Sequence, residues 1–199
     1  MVLFAVLSLL LGIGYGLMDW EIPFLSAITS HSDYILYVLM FLVGISVGLN
    51  KGLVGRMKAY GWKIFVVPFG IVLGSMIGGG LCFLLCGATL GESVAIGSGL
   101  GWYSLTGVMI TELSGARLGS IAFLSNLLRE IFSFFSIPLL AKYTNYPTCI
   151  APAGATSEDT TLPMMIRYTN EETVVLSVLN GIICSALVPV LIKFAYWFF

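Results

Sequence analysis

The sequence predicts an all-α membrane protein of about six or seven membrane segments, two of them broken or re-entrant. Of its 199 residues, 58% are apolar and 10% are charged, and the mean hydropathy is +1.01. Soluble domains carry about 25% charged residues, so this chain has too few to cover a soluble surface. The composition excludes disorder, and the near-neutral balance leaves no basic surface for nucleic acid. We expect one membrane transport domain over residues 1–199.

The first three segments are apolar runs of the length that a bilayer requires. They are Val2–Met18, Tyr34–Leu49 and Trp62–Cys86. The first is kept as a mature helix, because no basic stretch precedes it and no clear cleavage pattern follows. In the third, glycines at 70, 74 and 78 predict a face for close helix packing.

The fourth segment, Gly91–Leu113, is predicted to break (about 91–113). Residues 97–107 contain four glycines, and each costs a helix interior up to about 1 kcal/mol relative to Ala. Transporters use broken helices to aim helix ends at substrates or ions. The alternative is a closely packed but continuous helix.

The fifth segment, Leu118–Leu140, is followed by a short and interrupted one, Cys149–Ile166 (about 149–166), and by a last span, Thr173–Phe198. Pro152 and Pro163 prevent a regular helix from running through the sixth segment. Its polar centre fits either an external loop or a polar re-entrant element, and we favour re-entry.

Basic residues predict the orientation of the spans. The stretch after the second span carries four of them and is placed in the cytoplasm: Lys51, Arg56, Lys58 and Lys63. If the fourth segment crosses fully, Arg117 is cytoplasmic and Lys142 lies outside, against the rule. The side of the C-terminus depends on whether the sixth segment crosses or re-enters.

The fifth segment carries charges at membrane depth. Asn126, Arg129, Glu130 and Ser133 follow the spacing i, i+3, i+4, i+7 and share one helical face. A charge there costs about 2.5–3.5 kcal/mol on insertion scales, so it needs a partner or a function. Either the two charges only hold helices together, or the stripe lines a pathway with Glu130 as a cation or proton site.

Glu158 and Asp159 form a second acidic position. If the sixth segment re-enters, one of them can approach Glu130. Two neighbouring carboxylates in a low dielectric tend to hold a proton between them, and they can exchange it for an ammonium group. That exchange is the core of a cation/proton antiporter. No cofactor or metal site is expected, since His31 is the only histidine and lies far from the four cysteines.

Four separate motifs, in order and spacing, resemble the LysO family of bacterial lysine exporters. The likeness covers about residues 34–199. The motifs are Gly99-Leu-Gly-Trp-Tyr-Ser-Leu-Thr-Gly107, Thr111-Glu112, Asn126-Leu-Leu-Arg-Glu130 and Gly154-Ala-Thr-Ser-Glu-Asp-Thr-Thr-Leu-Pro163.

This resemblance implies export of L-lysine and its toxic cationic analogues across the bacterial inner membrane by a multi-pass protein. It also implies essential intramembrane acids, carried over here to Glu130 and Asp159, with Glu158 at the variable position before the latter. Longer family members have additional N-terminal spans. We therefore expect a homo-oligomer or a small membrane partner.

The residue pattern and the family resemblance together indicate the candidate site residues. Those expected to bind substrate or protons are Glu130, Asp159, Asn126, Arg129, Glu158, Ser157 and Thr156. A backbone site for the lysine carboxylate is expected at the break: Gly99, Gly101, Trp102, Tyr103 and Ser104.

Two alternatives remain open. The chain is a membrane subunit that transports only as a homodimer or with a partner chain, or it is an intramembrane enzyme that uses Glu130 and Asp159 as a catalytic pair. The Gly-x-Gly-Asp context of such proteases is missing, so we expect a transporter and no enzyme.

Overall fold

The computed structural model describes residues 63–199 and the isolated positions 7, 11, 14, 15, 17, 23, 38, 41 and 45. The chain divides into two compact units, residues 1–49 and 50–199. The predicted spans Val2–Met18 and Tyr34–Leu49 lie outside the described residues, apart from isolated positions that are helical. Everything below concerns the second unit.

Residues 63–199 fold into helices joined by short turns. They are α1 (Lys63–Cys86), α2 (Leu90–Gly97), α3 (Tyr103–Ser114), α4 (Ala116–Tyr143), α5 (Ile150–Ala153), α6 (Leu162–Tyr168) and α7 (Glu171–Phe198), with 3₁₀ turns at Tyr146–Cys149 and Gly154–Glu158. The described part of this membrane protein is all-α, as predicted.

Helices α1, α4 and α7 are the three described helices that are long and apolar enough to cross a membrane. They contain 24, 28 and 28 residues, or about 36–42 Å at 1.5 Å per residue. Their bounds agree with the predicted segments to within three residues at each end.

Residues 90–114, the first hairpin, enter and leave at the same end of the long helices. Gly91 packs against the carbonyl of Ala195, near the end of α7. The hydroxyl of Ser114, at the other end of the hairpin, lies 2.8 Å from that of Tyr196. The fourth segment is therefore broken, as predicted, and it returns instead of crossing.

Residues 146–168, the second hairpin, enter from the opposite end. The start of this hairpin and the start of α7 line one cavity of about 410 Å³, with Tyr146 and Thr173 on its two sides. Its last helix, α6, ends three residues before α7 begins. Between these ends, the Asn180 amide in the middle of α7 donates to the Gly154 carbonyl. The re-entry favoured by the sequence is confirmed.

Positive backbone φ angles explain why both segments break. Leu100 and Gly101 have φ of 51° and 95°, and Gly154 has φ of 60°. A right-handed helix cannot continue through such residues. Because the first hairpin returns to the end at which it entered, Lys142 lies at the same end of the long helices as Lys63. The exception to the positive-inside rule that a fully crossing segment would create at Lys142 therefore does not arise.

Among the described residues, close helix packing involves a glycine pair outside the predicted row. A Cβ on Gly70, Gly74 or Gly78 would meet no atom of the described residues within 4 Å. A Cβ on Gly79 would lie 2.6 Å from the Ser93 carbonyl, and one on Gly97 would lie 2.5 Å from that of Ser75. The α1–α2 contact therefore depends on glycine at 79 and 97. Gly79 is one residue out of register with the predicted row on α1.

Candidate functional site

The two hairpin tips meet midway between the ends of the long helices. The Ala155 N–H donates a 2.9 Å hydrogen bond to the carbonyl of Leu100. Gly101 packs against the carbonyl of Ala153 in the same crossing, and Gly154 packs against Leu100. The two segments singled out separately in the sequence therefore form one structure.

Asn126 of α4 anchors the first tip. Its Oδ1 accepts the N–H of Gly101 at 2.8 Å, and its Nδ2 donates to the carbonyls of Ile96 and Ala122 at 3.0 Å each. A Cβ on Gly99 would collide with this amide. The predicted binding residue Asn126 thus has both of its amide atoms engaged by backbone groups.

Arg129 anchors the second hairpin. Its guanidinium donates to the carbonyls of Ala151 and Pro152 at 3.2 and 3.1 Å, and to the Ser75 hydroxyl at 2.8 Å. The carbonyls at the end of a short helix carry partial negative charge, which offsets the charge of the half-buried Arg129. Arg129 therefore links α1, α4 and α5, and none of these bonds goes to Glu130.

A stripe of polar residues on α7 forms hydrogen bonds with the second tip, and none of these α7 residues is among the predicted site residues. Ser177 and Ser157 exchange two bonds, in which each hydroxyl donates to the other residue's carbonyl at 2.6 and 2.8 Å. The Asn180 amide donates to the Ser157 hydroxyl at 3.0 Å. Ser185 donates to Glu158 at 3.2 Å.

One feature of the sequence could have identified this stripe. Ser177, Asn180, Gly181 and Ser185 follow the spacing i, i+3, i+4, i+8 within an apolar helix and so share a face. A Cβ on Gly181 would lie 2.6 Å from that of Glu158, so this glycine makes room for the tip. The predicted residues Ser157 and Glu158 are thus bound to α7, and Thr156 donates to the Ala153 carbonyl at 2.9 Å.

Glu130 is fully buried in the middle of α4. Within the described part of the chain, neither of its carboxyl oxygens has a hydrogen-bond partner of standard geometry. Its surroundings contain the Thr160 side chain and the carboxylate of Asp159. An unpartnered carboxyl at this depth is costly, and such groups in membrane proteins mark ion or proton sites.

Asp159 lies at the exposed end of the second tip. Its Oδ1 accepts the backbone N–H of Thr160 and, at 3.1 Å, the hydroxyl of the same residue. Tyr103 interacts electrostatically with both Asp159 and Glu130. Glu130, Asp159 and this phenol from the first hairpin therefore lie within electrostatic range of one another.

The start of α3 faces this crossing without a capping side chain. Trp102 occupies the cap position, and its side chain makes no cap hydrogen bond. The N–H groups of Gly99, Gly101, Trp102 and Tyr103 are already used in hydrogen bonds within the structure. Of the predicted backbone site, only the N–H of Ser104 stays unbonded among the described residues, next to that of Leu105 in the same first turn of α3.

Cysteine and histidine form no metal centre in the described ranges. No group of three or more His, Cys, Asp or Glu residues is placed there to hold an ion. Cys149 and Cys184 are buried free thiols, and Cys82 is an exposed one.

Comparison with known proteins identifies the family. Residues 6–196 match the family model described as lysine exporter LysO. The chain belongs to the LysO family. The match covers both hairpins and every long helix described above, so the LysO resemblance noted in the sequence is confirmed.

Two LysO relatives are similar over most of the chain. Lysine exporter LysO of Escherichia coli K12 is 35% identical over 182 residues, which are 92% of this chain and 60% of that protein. A putative lysine exporter of Haemophilus influenzae Rd is 34% identical over 166 residues, 81% of this chain and 82% of that protein. The chain thus spans about three fifths of the E. coli relative. No solved structure matches.

Proposed function

We propose that the protein exports L-lysine and related cationic amino acids across the bacterial inner membrane in exchange for protons. The observation that carries the proposal is the fully buried Glu130 carboxyl, which has no hydrogen-bond partner of standard geometry among the described residues and lies within electrostatic range of Asp159, near the meeting point of two re-entrant hairpins. The names of the two relatives supply the substrate class.

Charge balance supports the exchange of one cation for another. Two ionised carboxylates within electrostatic range of each other repel, and burial of one of them strengthens that repulsion. One bound cation relieves that repulsion, and either a proton or the side-chain ammonium of lysine can provide it. Binding of the ammonium then releases the proton, which couples the two movements in opposite directions.

The lysine carboxylate needs a site of opposite polarity. The uncapped first turn of α3 presents backbone N–H groups next to Tyr103, on the same side of the crossing as the two acids. A helix start favours anions through these groups and through its dipole. We assign the α-carboxylate to this turn and the ammonium to Glu130 and Asp159.

The distribution of basic residues supports an orientation. Lys63, Lys142 and Arg167 lie at one end of the long helices, and three more basic residues precede Lys63 in the sequence. Arg117 and Lys193 are the basic residues near the other end. By the positive-inside rule, the end with Lys63, Lys142 and Arg167 faces the cytoplasm, so the second hairpin opens inward and the C-terminus lies outside.

The test is efflux of labelled lysine from exporter-deficient cells that express this chain alone. Wild type is expected to export lysine, and Glu130→Gln and Asp159→Asn are expected to abolish export while the protein stays in the membrane. Glu171→Gln is the matched control, because Glu171 is exposed in the first turn of α7, and it should export normally. Normal efflux from Glu130→Gln or Asp159→Asn would refute the assigned roles.

A second candidate is a subunit that needs a partner. It is favoured by the length comparison, since the chain spans 60% of the E. coli relative. In that case the wild-type chain alone exports no lysine. Co-expression with the portion of the E. coli relative that this chain does not match restores efflux, and that efflux still requires Glu130.

A further inference from the structure

A cavity of about 490 Å³ lies beside the first hairpin, at the end of the molecule where α1 and α7 finish. Its walls come from the end of α1, from α2 and from the first turns of α4. Its lining includes Cys82, Glu92, Ser93, Arg117 and Ser125. Glu130, Asp159 and Tyr103 do not line it, so it is separate from the site between the hairpin tips.

Opposite charges line the mouth of this cavity. Glu92 lies in the first turn of α2, and the Thr89 backbone N–H, which donates at 2.7 Å, holds the pKa of the Glu92 carboxyl below its usual value. Arg117, in the first turn of α4, makes no hydrogen bond or ion pair with the described residues. A carboxylate and an available guanidinium on one cavity complement a ligand that carries both an ammonium and an anionic group.

A buried hydroxyl without a partner lies deeper in the cavity wall. Ser93 is only 4% exposed, and its Oγ has no hydrogen-bond partner within the described residues. Ser125 lines the same wall eight residues after Arg117, about 12 Å further along α4. A buried hydroxyl left unpaired is costly, so polar atoms are expected to occupy this space.

We propose that this cavity is a second binding site for a zwitterionic amino acid, in which Arg117 binds the carboxylate, Glu92 binds the α-ammonium and Ser93 bonds to the ligand's far end. Its ligand class rests on the proposed function. A phosphoethanolamine lipid headgroup has the same pair of charges. The buried, unpaired Ser93 hydroxyl favours lysine, whose far end is polar, over a lipid, whose far end is apolar.

Cys82 provides a local probe, because it lines the cavity as an exposed free thiol. The full chain, purified in detergent, is alkylated with N-ethylmaleimide, and modification of the Cys82 peptide is followed by mass spectrometry. L-lysine is expected to slow this modification several-fold. Cadaverine, which lacks the carboxylate, and glycerophosphoethanolamine, which models the lipid headgroup, should not protect.

Variants separate this site from the one between the hairpin tips. Arg117→Gln and Ser93→Ala should each raise the lysine concentration needed for protection, the former by about tenfold. Arg167→Gln, at the other end of the molecule, and Glu130→Gln should leave protection unchanged. If lysine still protects Cys82 in Glu130→Gln while this variant exports no lysine, the cavity site and the proposed transport site are independent of each other.

Three outcomes would overturn the proposal. The first is that lysine does not protect Cys82 in the wild type, and the second is that Arg117→Gln is protected at the wild-type concentration. The third is protection by glycerophosphoethanolamine where lysine gives none, which assigns the cavity to a lipid headgroup. If the wild type exports no lysine but lysine still protects Cys82, the proposed function fails and the cavity site stands.

Discussion

The backbone N–H of Ala155 donates a 2.9 Å hydrogen bond to the carbonyl of Leu100, and this bond joins two hairpins that enter from opposite ends. Leu100 is fully buried with a φ of 51°. Backbone groups at membrane depth must be paired by protein or by water in a cavity. Any movement that separates the tips therefore has to supply new partners for this N–H and this carbonyl.

Gly154→Ala should damage the crossing of the tips. The residue has a φ of 60°, which costs an L-residue about 1–2 kcal/mol, and the added Cβ would collide with the Leu100 carbonyl oxygen. We expect a fall of several degrees in the detergent unfolding temperature and loss of lysine efflux. Gly78→Ala is the matched control, since no described atom lies within 4 Å of its Cβ. Equal stability of the two variants would contradict the described tip geometry.

Arg129→Lys should loosen the second hairpin although the charge is kept. The guanidinium reaches acceptors on two elements in three directions, whereas one ammonium cannot reproduce that fork. Hydrogen exchange of residues 150–161 is expected to speed up, with a loss of about 2–4 kcal/mol of stability. Arg167→Lys serves as the control, because Arg167 is exposed. Unchanged exchange in Arg129→Lys would show that the charge alone suffices.

Asn126→Leu should destabilise the first hairpin. It leaves the buried Gly101 N–H without its partner, at a cost of about 1–3 kcal/mol, and it removes one of the two hydrogen bonds to the Ile96 carbonyl. Thermal unfolding measures the loss. Asn145→Ala removes an exposed helix-cap bond and should cost only about 1 kcal/mol. The reverse order of the two variants would be inconsistent with an anchoring role for Asn126.

Reporter fusions check the orientation. An alkaline phosphatase fused after Phe199 should be active, because the C-terminus is placed outside, and a fusion in the loop at Asn145 should be inactive. A fluorescent protein, which folds in the cytoplasm, should give the opposite pattern at each site. An active phosphatase at Asn145 would contradict the placement of Lys142 on the cytoplasmic side.

The sequence alone determined the class of protein and its unusual segments. Apolar runs gave the long helices because a bilayer fixes their length and excludes charge. The glycines around 99–101 and the prolines at 152 and 163 located both breaks, since those residues act on the local backbone. Glu130 stood out because an acid at such depth requires a reason.

Only the tertiary structure decided what these parts do together. No local signal states whether a broken segment crosses or returns, because that depends on which helix its far end packs against, as Ser114 packs against Tyr196. The α7 stripe at Ser177 and Asn180 gains meaning only from its bonds to the second tip. Asn126 and Arg129 carry the same local signal as Glu130, yet backbone carbonyls accept hydrogen bonds from those two side chains, whereas the Glu130 carboxyl has no hydrogen bond of standard geometry among the described residues. The difference between these three side chains arises from contacts between residues that are distant in sequence.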